Sequence, residues 1–477
     1  MKTYIILTVI TLLALFLRLY QLEKVPVGFH IDEAAIGYNG WTISQVGKDE
    51  WWTPWPVLFK SFGDYKAPGM IYATAISQRL FGHNDWAVRF PSALAGVGSV
   101  ILVYFLTKEL FKSALCSLLS ALLLAVSPWH LQFSRLAFEG SLALFFTLLA
   151  TCLFLLAIRK NIWLLVLSML FFALAVMSYH AEKIFVPIYL TILVVIFWRK
   201  TLTRHGLASL LIGSLFFLPY LPTYFSPEGR ARAVSESIFG QKEPAIKLFQ
   251  ENFAASFSLD YLFFRGDQNG RHSVKKLGEL YVWQLPFVII GAYLLLRKYR
   301  LPAIIIFGWL LLAALPPALV RPSPHAYRNL IAVPMWQVIT AVGLISVWKK
   351  IKFRWILAGI LSLVIIHSFV VYLDWYYTHA PRMFGPDFND GYREAALYLK
   401  SQESNYGKIA VQSSLPEIYL KFYGGELQKY QFFKNPMKYT SGTLGLMPVW
   451  MVSADNEKII KTIKQKSGDP IFYAYKY

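Results

Sequence analysis

Long apolar runs recur along this chain from its first residues to about position 373. Each is close to the roughly 20 residues that a helix needs to cross a bilayer. Only 16% of the 477 residues are charged, which is low for a soluble protein. The sequence therefore predicts a polytopic α-helical membrane protein with about eleven transmembrane helices. The predicted spans lie near 3–20, 91–107, 114–127, 139–158, 162–178, 184–198, 206–224, 281–296, 302–319, 329–347 and 355–373.

Lysine and arginine residues predict the orientation of these helices. One set of short loops is basic and contains Lys108, Lys112, Arg159, Lys160, Arg199, Lys200, Arg204, Arg297, Lys298, Arg300, Lys349, Lys350, Lys352 and Arg354. Basic loops stay in the cytoplasm, so we expect a cell-membrane protein with a cytoplasmic N-terminus. Loops 21–90 and 225–280 and the tail from Asp374 are then extracytoplasmic. This pattern accounts for the net charge of +20, and no basic face on a soluble domain indicates nucleic-acid binding.

The tail at 374–477 is more polar and predicts a small extracytoplasmic α/β domain. Helices are expected at 394–399 and 416–423, the second ended by Gly424-Gly425. Strands are expected at 408–412, 449–452 and 471–475. The chain thus divides into a transmembrane domain at 1–373 and this domain at 374–477.

The first long loop contains the most informative polar residues. Two helices lying in the membrane interface are predicted at 34–46 and 68–81. The adjacent carboxylates of Asp32 and Glu33 precede the first helix. Charged groups at a membrane are costly, which favours a chemical role, although Asp32 could equally be a helix N-cap. Asp64, Tyr65 and Lys66 precede the second helix, where Lys66 is either a phosphate ligand or an interfacial anchor.

Two further polar groups lie at predicted helix ends. One contains His180, Glu182 and Lys183. The other lies in a proline-rich, non-helical segment and contains Arg321, His325 and Arg328. Non-helical backbone at membrane depth is tolerated where it lines a cavity, which makes the second group a candidate for contact with a lipid phosphate. The first group is a candidate for the same contact at the outer end of its helix. Interfacial anchoring is the alternative for each, and a metal site at His180 and Glu182 is a weaker one.

Several motifs occur in an order that resembles the GT-C superfamily of membrane glycosyltransferases. The resemblance is to the branch of protein O-mannosyltransferases and lipid A aminoarabinose transferases, and it covers roughly residues 1–370. After the acidic pair come Lys66-Ala67-Pro68, an Arg-Phe-Pro-Ser motif with Arg89, Pro91 and Ser92, and a stretch with Ser134, Arg135 and Glu139. The family's second-loop acid is often Asp, and Glu139 departs from that pattern.

The resemblance implies a GT-C-like fold and a polyprenyl-phosphate-linked sugar donor. Asp32 would act as base or position the acceptor, with Glu33 and Glu139 as further catalytic residues. The donor phosphate would be bound by basic residues, namely Lys66, Arg135, Lys183, Arg321, His325 and Arg328. Asp64, Tyr65, His180 and Glu182 are secondary candidates. Family members differ in their need for a divalent cation, so no definite cofactor is implied and a divalent metal remains an option.

The expected function is sugar transfer to a lipid, protein or glycan on the extracytoplasmic face, with inversion implied by the resemblance. The expected partners are the donor, this acceptor and membrane lipids. The sequence leaves open a transporter or flippase of lipid-linked saccharides, a polysaccharide polymerase or ligase, and a structural subunit. Transporters tend to place ionisable residues near the bilayer midplane and to have symmetric halves. Here the acids cluster in loops and no repeat is visible, which favours the enzyme.

Overall fold

Helices dominate the fold. The computed structural model describes residues 2–62, 64–350, 352, 354–434 and 442–476. In chain order the helices are α1 (Lys2–Leu19), α2 (Ile31–Val46), α3 (Pro68–Phe81), α4 (Asp85–Phe111), α5 (Ala114–Ala125), α6 (Pro128–Phe133), α7 (Glu139–Arg159), α8 (Leu164–Val176), α9 (Glu182–Ile196), α10 (Trp198–Thr201), α11 (Arg204–Ser214), α12 (Pro227–Ser235), α13 (Ala245–Ala255), α14 (Leu285–Lys298), α15 (Arg300–Ala313), α16 (Leu315–Ala318), α17 (Val333–Lys350), α18 (Arg354–Asp374), α19 (Ala380–Met383), α20 (Tyr392–Ser401) and α21 (Glu417–Tyr423).

Each of the eleven predicted spans contains a helix. Within the described ranges, six stretches are long and apolar enough to cross a bilayer: Lys2–Leu19, Asp85–Phe111, Glu139–Arg159, Arg300–Ala318, Leu330–Lys350 and Ala358–Met383. The chain is therefore a multi-pass membrane protein, while the number of crossings stays a prediction. The last stretch continues through a π-helical turn, Trp375–His379, beyond the predicted end at 373.

The first loop contains both predicted helices and an unpredicted hairpin. Helix α3 has the predicted bounds because Pro68 suits its first turn. Helix α2 begins earlier than expected, and its N-cap is His30. The alternative interpretation of Asp32 as the N-cap was wrong, because Asp32 lies inside the first turn. Strands β1 (Phe59–Ser61) and β2 (Asp64–Lys66) pair antiparallel directly before α3.

A five-stranded mixed sheet forms the C-terminal domain. Its strands are β3 (Ile409–Gln412), β4 (Tyr430–Phe433), β5 (Leu444–Pro448), β6 (Ile459–Lys464) and β7 (Pro470–Lys476), in the order β4-β3-β5-β7-β6. Strand β3 is parallel to β4 and β5, whereas β7 is antiparallel to β5 and β6. Both predicted helices are present as α20 and α21. The strand predicted at 449–452 was wrong, because β5 ends at Pro448 and a 3₁₀ turn follows.

The C-terminal domain and the first loop share one hydrophobic core. Ala34 and Ile36 of α2 pack in the same buried cluster as Tyr419 and Phe422 of α21. The approach is close, because a Cβ atom at Gly37 would come within 2.5 Å of the Phe422 ring. The C-terminal domain therefore packs directly against the helix that contains the acidic pair.

Candidate active site

The two carboxylates of the acidic pair have different surroundings. Consecutive residues in the first turn of a helix point about 100° apart, so Asp32 and Glu33 face different neighbours. The Asp32 side chain keeps 34% of its surface exposed, whereas Glu33 is completely buried. Only Asp32 is therefore accessible to a substrate.

Glu33 is the centre of a buried ion pair with Arg89 of α4. Its carboxylate accepts hydrogen bonds from Arg89 Nε (2.9 Å) and Nη2 (2.8 Å), and from the backbone N–H groups of His30 (3.1 Å) and Ala137 (2.9 Å). The remaining N–H groups of Arg89 donate to the carbonyl oxygens of Leu22, Pro26 and Gly28. All four lone-pair sites of the carboxylate and all five guanidinium donors are thereby used. We reassign Glu33 from catalysis to positioning, because it has neither access nor bonding capacity for a substrate.

Asp32 forms an ion pair with Lys66. Lys66 Nζ donates to Asp32 Oδ1 at 2.6 Å, and the Lys66 side chain is almost fully buried. Burial by itself would raise the pKa of the Asp32 carboxyl, but Lys66 and the His30 ring together hold that pKa well below its usual value. Asp32 is therefore an anion at neutral pH, and Lys66 presents a buried cation at the same point.

The hairpin and a close helix contact fix the position of Lys66. Lys66 is the last residue of β2 and pairs with Phe59 of β1. Three residues later the Gly69 backbone N–H donates to the Met177 carbonyl at 2.9 Å. A Cβ atom at Gly69 would come within 2.4 Å of Ser178, so only glycine permits this approach. The start of α3 is thereby attached to the end of α8.

His30 and Arg271 extend the site in a way that the sequence did not predict. Arg271 Nη1 lies 2.9 Å from His30 Nε2, and His30 Nδ1 lies 3.4 Å from Asp32 Oδ2. Arginine can only donate, so Nε2 accepts from Arg271. Nδ1 lies 3.2 Å from the Asp32 backbone N–H, so the His30 ring contacts both the backbone and the carboxylate of Asp32. The one sequence signal was the position of His30 two residues before Asp32. Arg271 comes from a distant loop and no local pattern indicates it.

The C-terminal domain orients the start of α2. The Ile31 backbone N–H donates to Asn389 Oδ1 at 3.1 Å, and the Tyr419 hydroxyl donates to the Phe29 carbonyl at 2.7 Å. These two bonds fix the backbone on either side of His30, directly before Asp32. The C-terminal domain thus contributes to the geometry of the site.

Glu139 lies at the first turn of α7 and is nearly buried. The Tyr327 hydroxyl donates to Glu139 Oε2 at 2.9 Å and accepts from the Gly140 backbone N–H at 2.9 Å. The Phe138 ring contacts the rings of both His30 and Tyr327. The rings of Phe138 and Tyr327 therefore lie between Glu139 and His30, which contacts Asp32.

Three of the predicted phosphate-binding cations, Arg135, Lys183 and Arg328, are engaged elsewhere. Arg135 is buried and donates to three backbone carbonyls, those of Leu17, Tyr20 and Val25. Lys183 donates to the carbonyls of Thr223 and Gly229, and Arg328 pairs with Glu236. His325 is buried beside the His272 ring, while the Arg321 side chain is exposed. Arg135 contradicts its prediction most clearly, because its guanidinium is buried and four of its five N–H donors already have partners within the protein.

The secondary candidates lie around the hairpin and α9. His180 Nε2 lies 2.7 Å from the Tyr65 carbonyl, which connects the α8–α9 turn to the residue before Lys66. Asp64 accepts from the Tyr65 backbone N–H at 2.7 Å. Glu182 is buried, and Thr147 donates to it at 3.4 Å. His180 and Tyr65 therefore support Lys66, while no bond between His180 and Glu182 is among the contacts of the described residues.

Comparisons with known proteins agree with this architecture. Residues 65–222 match the family described as dolichyl-phosphate-mannose-protein mannosyltransferase. ArnT from Cupriavidus metallidurans superposes with a TM-score of 0.62 at 12% identity, covering 99% of this chain and 97% of ArnT. The Archaeoglobus fulgidus oligosaccharyltransferase, determined with a tethered acceptor peptide, gives a TM-score of 0.54 at 16% identity over 92% of this chain and 61% of that one.

These matches show that the chain has the fold of ArnT and of the oligosaccharyltransferase, in agreement with the GT-C-like fold that the sequence motifs predicted. A match with higher sequence identity covers only a short segment of the chain. YkcB of Bacillus subtilis, whose name assigns it to the mannosyltransferases, is 40% identical over 102 residues. The aligned segment is 21% of this chain and 14% of YkcB. The match thus spans about a seventh of that relative's length.

Proposed function

We propose that this protein is a glycosyltransferase that uses a polyprenyl-phosphate-linked sugar as donor. The observation that carries the proposal is the Asp32–Lys66 pair, a partly exposed carboxylate held 2.6 Å from a buried ammonium. Sugar transfer from a phosphate needs both groups: a cation for the leaving phosphate and a base for the acceptor. The likeness of the fold to ArnT, which has been determined with undecaprenyl phosphate, supports this donor class.

The ion pair suggests the order in which Lys66 and Asp32 act. While Lys66 neutralises Asp32, the carboxylate is a weak base, because its pKa is held low. A donor phosphate that binds Lys66 competes with Asp32 for the ammonium. Asp32 then loses its main counterion, its pKa rises, and it becomes a better proton acceptor. Donor binding thereby activates the base.

The transfer itself is a single displacement. The acceptor oxygen or nitrogen attacks the anomeric carbon, and the acceptor proton passes to Asp32. The bond between the anomeric carbon and the phosphate oxygen breaks, which leaves polyprenyl phosphate on Lys66. One in-line displacement inverts the anomeric centre. His30 and Arg271 orient Asp32, while Glu33 and Arg89 hold the helix that presents it.

The orientation and the domain division belong to the same proposal. Basic short loops in the cytoplasm place the N-terminus inside and the Asp32 site at the extracytoplasmic face. The C-terminal domain, 374–477, lies on that face, with the helix up to Met383 as its connection to the membrane part. The acceptor is a lipid, a protein or a glycan.

The test is consumption of radiolabelled polyprenyl-phosphate mannose, and of a panel of other polyprenyl-phosphate sugars, by the purified full chain. The matched variants are Lys66→Met and Lys60→Met, since Lys60 is an exposed lysine on the same hairpin. We expect Lys66→Met to lower donor consumption at limiting donor concentration by about tenfold or more, and Lys60→Met to leave it unchanged.

Two results would overturn the proposal. One is that the wild type consumes none of the donors when an acceptor lysate is present. The other is that the two lysine variants behave alike. Movement of intact donor across proteoliposomes without consumption would favour a flippase instead.

A further inference from the structure

A second cluster of polar side chains lies where two loops meet, apart from the Asp32–Lys66 pair. Asp267 and His272 come from the loop before α14, and His325 comes from the segment before α17. All three side chains are buried, and their potential ligand atoms lie within 4.8 Å of one another. His272 Nδ1 lies 2.8 Å from Asp267 Oδ2, and the rings of His272 and His325 are 4.5 Å apart.

Backbone groups of both loops hold the Asp267 carboxylate in place. Asn269 N–H donates to Oδ1 at 2.8 Å, and Ala326 N–H donates to Oδ2 at 2.7 Å. Oδ1 therefore keeps a free lone pair, because a carboxylate has about four acceptor positions. Outer hydrogen bonds of this kind are what orient the ligands of metal sites.

The charge around the cluster is the second observation. Glu279 is also buried, and its Oε1 accepts the Asp267 backbone N–H at 2.8 Å. Within the described part of the chain, no lysine or arginine side chain is bonded to Asp267 or to Glu279. Two buried carboxylates without a bonded cation are costly, and a bound dication would offset that cost.

We infer that Asp267, His272 and His325 form a site for a transition-metal dication of the Zn²⁺ class. Two imidazoles and one carboxylate suit Zn²⁺, whereas Mg²⁺ and Ca²⁺ prefer oxygen ligands throughout. A cavity of about 10 Å³, lined by His272 and Glu279, adjoins the cluster and approaches the room that one water ligand needs. His325 is thereby reassigned from phosphate binding to metal binding.

The metal would tie two loops together beside the active site. Arg271, which contacts His30, is the residue before His272, so a ligand bond at His272 restrains the guanidinium next to it. The metal thus serves to position the loop over Asp32. This inference does not depend on the proposed sugar transfer.

The test measures metal binding and does not require activity. The purified full chain in detergent is stripped with a chelator and titrated with Zn²⁺, with Mg²⁺ in parallel. Metal content is then determined after equilibrium dialysis. His325→Gln and His272→Gln are compared with His379→Ala, which removes a half-exposed histidine outside the cluster.

We expect one Zn²⁺ per chain in the wild type and in His379→Ala, and a loss of affinity of about 100-fold or more in both cluster variants. Co²⁺ in the wild type should give the intense visible absorption of a tetrahedral site, a measurement that needs no variant to fold. The inference is overturned if the wild type binds no stoichiometric Zn²⁺, if Mg²⁺ competes equally, or if the cluster variants bind as the wild type does.

Discussion

Glu33→Gln separates a positioning role from a catalytic one. The substitution keeps the size of the side chain and removes its charge. The new amide group would face Arg89 Nη2 and the His30 N–H, both of which are donors. Arg89 would then remain charged and completely buried without a counterion.

The magnitude follows from this burial. Removing one partner of a buried ion pair costs about 3–5 kcal/mol. Asp32→Asn is the matched control one residue earlier. Because Asp32 is about one-third exposed, loss of its charge should cost only about 1–2 kcal/mol of unfolding free energy.

The assay is the unfolding free energy of both variants in detergent micelles, measured by steric trapping, beside donor turnover. We expect Glu33→Gln to be the less stable protein by at least about 2 kcal/mol. Any folded fraction of Glu33→Gln should retain more turnover than Asp32→Asn. The reasoning fails if Glu33→Gln is as stable as the wild type yet inactive, since Glu33 would then act in the chemistry.

Three other outcomes are expected. Asn389→Ala should lower kcat about tenfold with little change in KM, because the Ile31 N–H loses its acceptor, and Asn389→Asp should rescue kcat. Because the pKa of Asp32 is depressed, the stability from its ion pair is present above about pH 4 and is lost as pH falls through the lowered pKa. The melting-temperature difference between wild type and Asp32→Asn should therefore be constant from about pH 8 to 5 and should narrow only below that range. Arg135→Gln should destabilise the protein while leaving polyprenyl-phosphate affinity unchanged, and a selective loss of affinity would contradict the structural role of Arg135.

Features with local sequence signals were predicted well. Helix α3 was predicted with its observed bounds, since Pro68 and the spacing of its apolar residues are local signals. The GT-C fold also followed from motifs whose order is a property of the chain. The hairpin at Lys66 was missed because strands of three residues have almost no pattern of their own. Strand β6 was missed because Lys461 and Lys464 interrupt its apolar pattern, as an edge strand of the sheet permits.

The composition of the site depends on contacts between distant residues. Asp32 and Lys66 were both predicted from sequence, and their separation of 34 residues lies within one loop. Arg271 joins His30 across 241 residues, which no local pattern can indicate. Arg135 was predicted to bind the donor phosphate because it is a loop arginine within a motif of the family. Its actual partners are carbonyls of the α1 end and the following loop, which only the fold brings within reach.

The central claim is that Asp32 acts as the base while Lys66 holds the donor phosphate. The most direct test is Asp32→Asn, with donor consumption and polyprenyl-phosphate binding measured on the same preparation. The account predicts that consumption falls about 10²–10⁴-fold. It also predicts that binding is unchanged or tighter, since Asn no longer competes for Lys66. Equal consumption by variant and wild type would contradict the account, and so would a loss of binding that accompanies the loss of turnover.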